Sequence, residues 1–135
     1  MIKNCSITEA TQLTPEQDAL ARDVLENLSG KWSFWILDVL GTAEQPMRFA
    51  RLLEAVEGIS QKVLTRTLRH LEQDGFVSRQ IYAEVPPRVE YALTDLGREL
   101  LVEITPLLAW VVRKVDLFGA AREKAALSAQ SHRVD

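Results

Sequence analysis

The chain has 135 residues, of which 47% are hydrophobic and 26% charged, with a formal net charge of −3; this composition is typical of one soluble globular domain. One cysteine and two histidines are too few for a histidine–cysteine zinc cluster, and no apolar run approaches the roughly 20 residues of a transmembrane helix. We therefore predict a cytoplasmic protein with no metal, cofactor or membrane span.

Charge is distributed unevenly along the chain. Residues 1–47 carry 3 basic and 7 acidic side chains, residues 48–94 carry 7 and 6, and residues 95–135 carry 6 and 6. The middle third alone has a net positive charge. An acidic chain can therefore still present a local basic face to a polyanion such as DNA.

Three helices are predicted before residue 60. Thr14 and Gln17 form a capping-box pattern, and an apolar stripe follows as far as the Ser-Gly pair at 29–30. The segment 32–40 is apolar nearly all round, so we expect it in the core, Trp35 included. After a turn, residues 49–56 have the spacing of a short helix.

A fourth helix is predicted from its N-cap, Ser60, to Gly75, which ends it. Its apolar side chains recur on one face. The opposite face carries hydrogen-bond donors: Gln61, Lys62, Thr65, Arg66 and Arg69. Such side chains donate to phosphates and to base edges in the major groove of DNA. An ordinary solvated basic face is the alternative interpretation.

The hydrophobic period changes from helix to strand over residues 76–94. Two strands are predicted, joined by the loop 83–87, because its proline pair cannot lie inside a paired strand. Arg79 and Arg88 lie on this ribbon, where either could contact flanking DNA backbone. Three helices, a glycine-containing turn at 57–60, a basic helix and a ribbon predict a mainly α winged helix-turn-helix with a small antiparallel β-ribbon.

Thr94 is predicted to cap a final helix that runs to about Phe118 and contains Pro106, which should kink it or break one backbone bond. Its apolar residues fill an arc of about 160°, wider than the roughly 100° that one core-facing side needs. We therefore predict a homodimer that binds a pseudo-palindrome; a helix deeply buried in a monomer is the alternative. The predicted interface residues are Leu100, Ile104, Leu107, Leu108, Val111, Val115 and Phe118.

Several segments stand in the order and near-spacing of the HxlR-type regulators: "GKW" (30–32), "RF" (48–49), "GISQKVLTRTLRHLEQDGFVSR" (58–79), "YAEVPPRVEYALTDLG" (82–97) and Trp110. The chain resembles that family over about residues 19–112. The resemblance implies a dimeric bacterial DNA-binding regulator whose recognition helix is about 60–74 and whose wing tip is 82–88. The predicted DNA-binding residues are Arg48, Ser60, Gln61, Lys62, Thr65, Arg66, Arg69, Arg79 and Arg88.

These interpretations together predict three parts of the chain. Residues 1–13 form an N-terminal arm, and residues 14–119 form the winged helix-turn-helix domain with its dimerisation helix at about 95–118. Residues 120–135 form a tail that loses periodicity and either frays or extends a weak helix. We expect Arg48 either to contact a phosphate or to pair with Glu54 or Glu57.

The signal to which the protein responds has two candidate sources. Members of the resembled family often have a sensing cysteine shortly before "GKW", but that position is Ala19 here. The single cysteine, Cys5, lies on the predicted arm and is either a sensor of electrophiles or oxidants, or incidental. The other source is a small apolar ligand between the terminal helices and the Trp32/Trp35 region.

Repression of transcription is the predicted outcome of DNA binding, since no separate activation domain is visible. A winged-helix module that binds another protein and no DNA is the alternative function. An enzyme is not expected, because the sequence has no Gly-rich phosphate loop and no nucleophile flanked by a base.

Overall fold

The computed structural model describes residues 12–133 of the chain. The described part divides into two units between Glu99 and Leu100. Its elements are α1 (Pro15–Leu28), α2 (Ser33–Thr42), β1 (Met47–Arg48), α3 (Phe49–Ala55), α4 (Gln61–Gln73), β2 (Val77–Tyr82), β3 (Arg88–Leu93), α5 (Asp95–Arg113) and α6 (Val115–Arg133). No helix in this part is long and apolar enough to span a bilayer.

The start of α1 confirms the predicted capping box. The backbone N–H of Gln17 donates to Thr14 Oγ1 at 3.2 Å, and the backbone N–H of Thr14 donates to Gln17 Oε1 at 3.0 Å. Two of the N–H groups at the helix start, which have no partner within the helix, are thereby satisfied.

The core of the first unit forms where α2, α3, α4 and the sheet converge. Its fully buried side chains are Ile36, Leu37, Leu52, Leu64, Leu68, Leu71 and Val77. The expectation that Trp35 lies in this core is wrong, because its side chain is 55% exposed. Ile36, Leu37 and Leu40 occupy the buried side of α2. Trp35 points away from them, so a segment apolar nearly all round still has an outer face.

The sheet has three antiparallel strands in the order β1–β3–β2. The predicted pair is present, with register from Val77 opposite Leu93 to Tyr82 opposite Arg88. The third strand, β1, was not predicted: it places Met47 opposite Tyr91. Two residues are too few to show the period-two pattern by which a strand is recognised.

The junction between the sheet and α5 is tightly built. Thr94 caps α5 as predicted, because its hydroxyl oxygen accepts from the N–H of Gly97 at 3.0 Å and its hydroxyl donates to the carbonyl of Gly75 at 2.6 Å. Gly75 ends α4 with a φ of +85°, in the left-handed region that favours glycine. Gly97 packs directly on the backbone of Phe76.

In the second unit, the prediction of one unbroken helix to about Phe118 is wrong, whereas the helical alternative for the tail agrees with the structure. Helix α5 ends at Arg113, and α6 continues as a helix to Arg133. The N–H of Lys114 lies 3.1 Å from the carbonyl of Trp110 and 3.2 Å from that of Val111, which marks the break. The apolar pattern continues across this point without a glycine or proline, so the sequence carries no stop signal there.

Candidate nucleic-acid interface

Helix α4 is fixed at its start by a turn and a cap. Gly58 has a φ of +88°, so the turn between α3 and α4 has a conformation that favours glycine. Ser60 is the N-cap, as predicted: its hydroxyl oxygen accepts from the N–H of Val63 at 3.2 Å. Leu64, Leu68 and Leu71 are at most 1% exposed and hold one side of α4 in the core.

The opposite side of α4 faces solvent and carries the predicted donors. Gln61, Lys62, Arg66 and Arg69 are exposed, whereas Thr65 is half-buried and its hydroxyl donates to the carbonyl of Gln61 at 2.9 Å. All five line one open hollow of about 1130 Å³, together with His70, Glu72 and Gln73. The structure thus brings these five predicted residues onto one accessible surface.

The cations of this surface are not neutralised within the part of the chain that the structure describes. Between residues 12 and 133, three ion pairs form: Arg22 with Asp18, and Arg88 with both Glu84 and Glu90. None of them includes Lys62, Arg66 or Arg69. Their positive charge is therefore available to phosphates.

Strand β2 adds a further cation beside α4. Arg79 lies opposite Tyr91 in the sheet, and both line a small hollow of about 110 Å³ with Thr65, Arg69 and Glu72 of α4 and the core residue Leu68. Arg79 likewise has no carboxylate within ion-pair distance among residues 12–133. The predicted Arg69 and Arg79 thus share one site where α4 adjoins the ribbon.

Arg48 and Arg88 lie elsewhere. Because side chains alternate along a strand, Arg88, Tyr82 and Glu90 share the sheet face opposite that of Arg79 and Tyr91. Arg88 Nη2 lies 3.4 Å from Glu84 Oε1, and Arg88 Nε lies 3.5 Å from Glu90 Oε1. The structure therefore does not bring Arg88 together with the cations of α4.

Arg48 is exposed at the N-cap position of α3. Its backbone lies opposite that of Glu90 in the sheet. Its alternative ion pair with Glu54 or Glu57 is not among those formed between residues 12 and 133. Arg48 and Arg88 line a separate hollow of about 390 Å³ with the loop at 84–87.

The sequence interpretation missed part of this surface. Glu72, Gln73 and Tyr91 line the hollows but were assigned to no role. The helical position of Gln73 and the strand alternation of Tyr91 were the signals that could have placed them. Among the described residues no group of three or more histidine, cysteine or acidic side chains could hold a metal ion. Cys5 lies outside the described residues.

The comparisons with known proteins identify the family. The HxlR-like helix-turn-helix model matches residues 27–117. The chain belongs to this family. It is 37% identical over 106 residues to the HTH-type transcriptional regulator YtfH of Escherichia coli (strain K12), covering 78% of this chain and 82% of that protein.

Solved structures agree with this assignment. The transcriptional regulator ytfH from Salmonella typhimurium is 37% identical, with a TM-score of 0.68, over 76% of this chain and 90% of that one. The redox regulator HypR in its reduced form is 32% identical, with a TM-score of 0.66, over 75% and 98%. An HxlR family transcriptional factor from Thermoplasma volcanium GSS1 is 27% identical, with a TM-score of 0.61, over 74% and 84%.

The fold and the family together establish the class of activity. The protein is a winged helix-turn-helix transcriptional regulator, a class of DNA-binding proteins and not of enzymes.

Proposed function

We propose that the protein is a homodimeric, sequence-specific repressor that places α4 in the major groove and the β2–β3 wing on the flanking backbone. The single observation that carries this proposal is the set of exposed cations on the outer face of α4, which form no ion pair with any residue between 12 and 133. An amphipathic helix held by buried leucines, with donors on its free side, has the chemistry that duplex DNA requires.

The donors differ in the part of the DNA that each can contact. The amide of Gln61 and the guanidinium of Arg66 can form paired hydrogen bonds, with adenine and with guanine respectively. Lys62 suits a phosphate as a point charge. Arg69 and Arg79 share one small hollow beside Thr65, so we assign them to a phosphate at the edge of the groove. We assign Arg48 and Ser60, also among the predicted DNA-binding residues, to further backbone contacts.

Variants of α4 test the assignment. We expect Arg66→Ala to weaken specific binding about tenfold or more, since a good base contact contributes roughly 1–3 kcal/mol. We expect Arg69→Ala to weaken specific and non-specific binding alike and to lower the salt slope by about 0.9, since it removes a phosphate contact. Arg122→Ala, which removes the same charge from an exposed position in α6, is the matched control and should bind like the wild type. Mobility-shift titration measures all three. Wild-type affinity in both α4 variants would mean that this face does not contact the operator.

Apolar exposure on the second unit supports the homodimer. Of the predicted interface residues, Leu107, Val111, Val115 and Phe118 are exposed, while Leu100, Ile104 and Leu108 are half-buried. Trp110, Val112 and Leu117 are exposed as well, and α6 has no buried side chain among its described residues. A helix pair with this much uncovered apolar surface gains stability by packing against a second copy.

Sedimentation velocity tests the dimer. We expect Leu107→Asp to shift the protein toward monomer, because the variant would bury an unpaired carboxylate in the interface. Thr105→Asp introduces the same charge on the other side of α5 and should leave the dimer intact. A monomeric wild-type protein, or a dimeric Leu107→Asp variant, would contradict this interface.

A comparison of the wild type with Cys5→Ser in the presence of an oxidant distinguishes the two candidate signals. HypR is described as a redox regulator, which favours an oxidant acting through Cys5. In that case an oxidant weakens DNA binding by the wild type, and Cys5→Ser abolishes this response. If the two proteins respond alike, the search moves to a small apolar ligand. A protein-binding module would instead show no specific DNA affinity.

A further inference from the structure

We propose that Arg88 positions the wing and does not contact DNA, an inference that rests on the proposed DNA binding. Its charge is used within the ribbon, where it holds the two strands and the loop between them in one arrangement. We call Arg88, Tyr82, Glu84 and Glu90 the wing brace.

Three groups of the wing brace lie close to the Arg88 guanidinium. The guanidinium carbon of Arg88 lies 4.1 Å from the centre of the Tyr82 ring, directly across the two strands in the register. The Glu84 carboxylate contacts it from the loop at 3.4 Å, and the Glu90 carboxylate contacts it from β3 at 3.5 Å. One side chain thus connects both strands and the loop.

Charge and burial distinguish Arg88 from the cations of α4. Its side chain is 29% exposed and Glu90 is 18% exposed, so this pair is less screened by water than a surface ion pair. Two of the guanidinium nitrogens of Arg88, Nη2 and Nε, already face carboxylates, so fewer of its five N–H donors remain for a phosphate. The sheet face also differs, because Arg79 and Tyr91 lie on the side that adjoins α4.

The two possible roles of Arg88 predict opposite changes in DNA affinity for the same variant. Glu90→Gln removes a negative charge from the wing. If Arg88 contacts a phosphate, this change frees the cation and leaves DNA binding equal or tighter. If Arg88 positions the wing, the brace loses a partner and DNA binding weakens. This is the opposite of what removing a negative charge near DNA would do by electrostatics alone. Glu54→Gln makes the same charge change at an exposed carboxylate of α3 outside the brace.

The experiment uses the full chain and a duplex selected by the wild-type protein from a random library. Affinity is measured at several salt concentrations for Arg88→Lys, Arg88→Gln, Glu90→Gln and Glu54→Gln. Hydrogen exchange of the β2 and β3 amides in the free proteins reports the order of the wing without DNA. Circular dichroism confirms that each variant folds, and Arg88→Lys preserves the charge if Arg88→Gln does not fold.

We expect Arg88→Lys, Arg88→Gln and Glu90→Gln each to bind about two- to tenfold more weakly, with an unchanged salt slope and faster exchange in the wing. Near-wild-type binding by Arg88→Lys, or a salt slope smaller by about 0.9 in Arg88→Gln, would overturn the proposal. Wild-type rates of hydrogen exchange in the wing of Arg88→Lys, Arg88→Gln and Glu90→Gln would also overturn it. If the wild type selects no duplex, the proposed DNA binding fails instead, and exchange alone decides whether the brace exists.

Discussion

The contact between Gly97 and Phe76 gives the sharpest prediction of stability. A Cβ added at Gly97 would lie 2.1 Å from the carbonyl oxygen of Phe76, 3.0 Å from its carbonyl carbon and 3.2 Å from Leu93 Cδ2. The carbonyl of Phe76 cannot move freely, because it accepts the N–H of Thr94 at 3.0 Å. Gly97→Ala must therefore displace backbone at the junction of the sheet with α5.

The expected loss of stability has two sources: overpacking by the added Cβ and a weakened hydrogen bond between Phe76 and Thr94. Overpacking of a filled site costs about 1–3 kcal/mol, and a weakened hydrogen bond adds about 0.5–1.5 kcal/mol. We expect Gly97→Ala to lower the free energy of unfolding by about 1.5–4.5 kcal/mol, measured by urea denaturation. Gly119→Ala is the control: nothing lies within 4 Å of its added Cβ, and alanine is favoured in a helix. A loss below about 0.5 kcal/mol in Gly97→Ala, within the range of ordinary surface substitutions, would refute the reasoning.

Three further changes have expected outcomes in the same urea assay. Gly75→Ala should cost about 1–2 kcal/mol because the left-handed φ strains a Cβ. Gly30 has no positive φ, so Gly30→Ala should cost less. Equal losses of stability in the two variants would contradict the assigned turn. Ser60→Ala should cost about 0.5–2 kcal/mol through loss of the N-cap, and no change would mean that the cap is not formed. Leu64→Ala should cost about 2–5 kcal/mol because the side chain is fully buried; a smaller effect would place the inner face of α4 outside the core.

The sequence was sufficient where local chemistry determines structure. The capping box at Thr14, the N-caps at Ser60 and Thr94, and the glycine turn at Gly58 are all confirmed. Each depends on a side chain that bonds within a few residues of itself, or on a φ that glycine favours. The donor face of α4 was predicted for a similar reason, because helical periodicity alone separates it from the buried leucines.

The rest depends on contacts distant in sequence. The strand Met47–Arg48 exists because it pairs with β3, more than forty residues later, and nothing in two residues signals this. The burial of α2 likewise depends on which face the other elements cover, so Trp35 was misplaced. The environment of Arg88 required the strand register and the loop together. The sequence predicted a cation on the wing but not the carboxylates beside it.

The most direct test of the account is a titration of the wild-type protein with DNA from upstream of its own gene, at 50 and 200 mM salt with competitor DNA present. A dimer that neutralises about 6–10 phosphates should bind specifically and lose roughly 10³–10⁵ in affinity between these concentrations. Specific binding with no dependence on salt would contradict the assignment of the exposed cations of α4 to the DNA backbone.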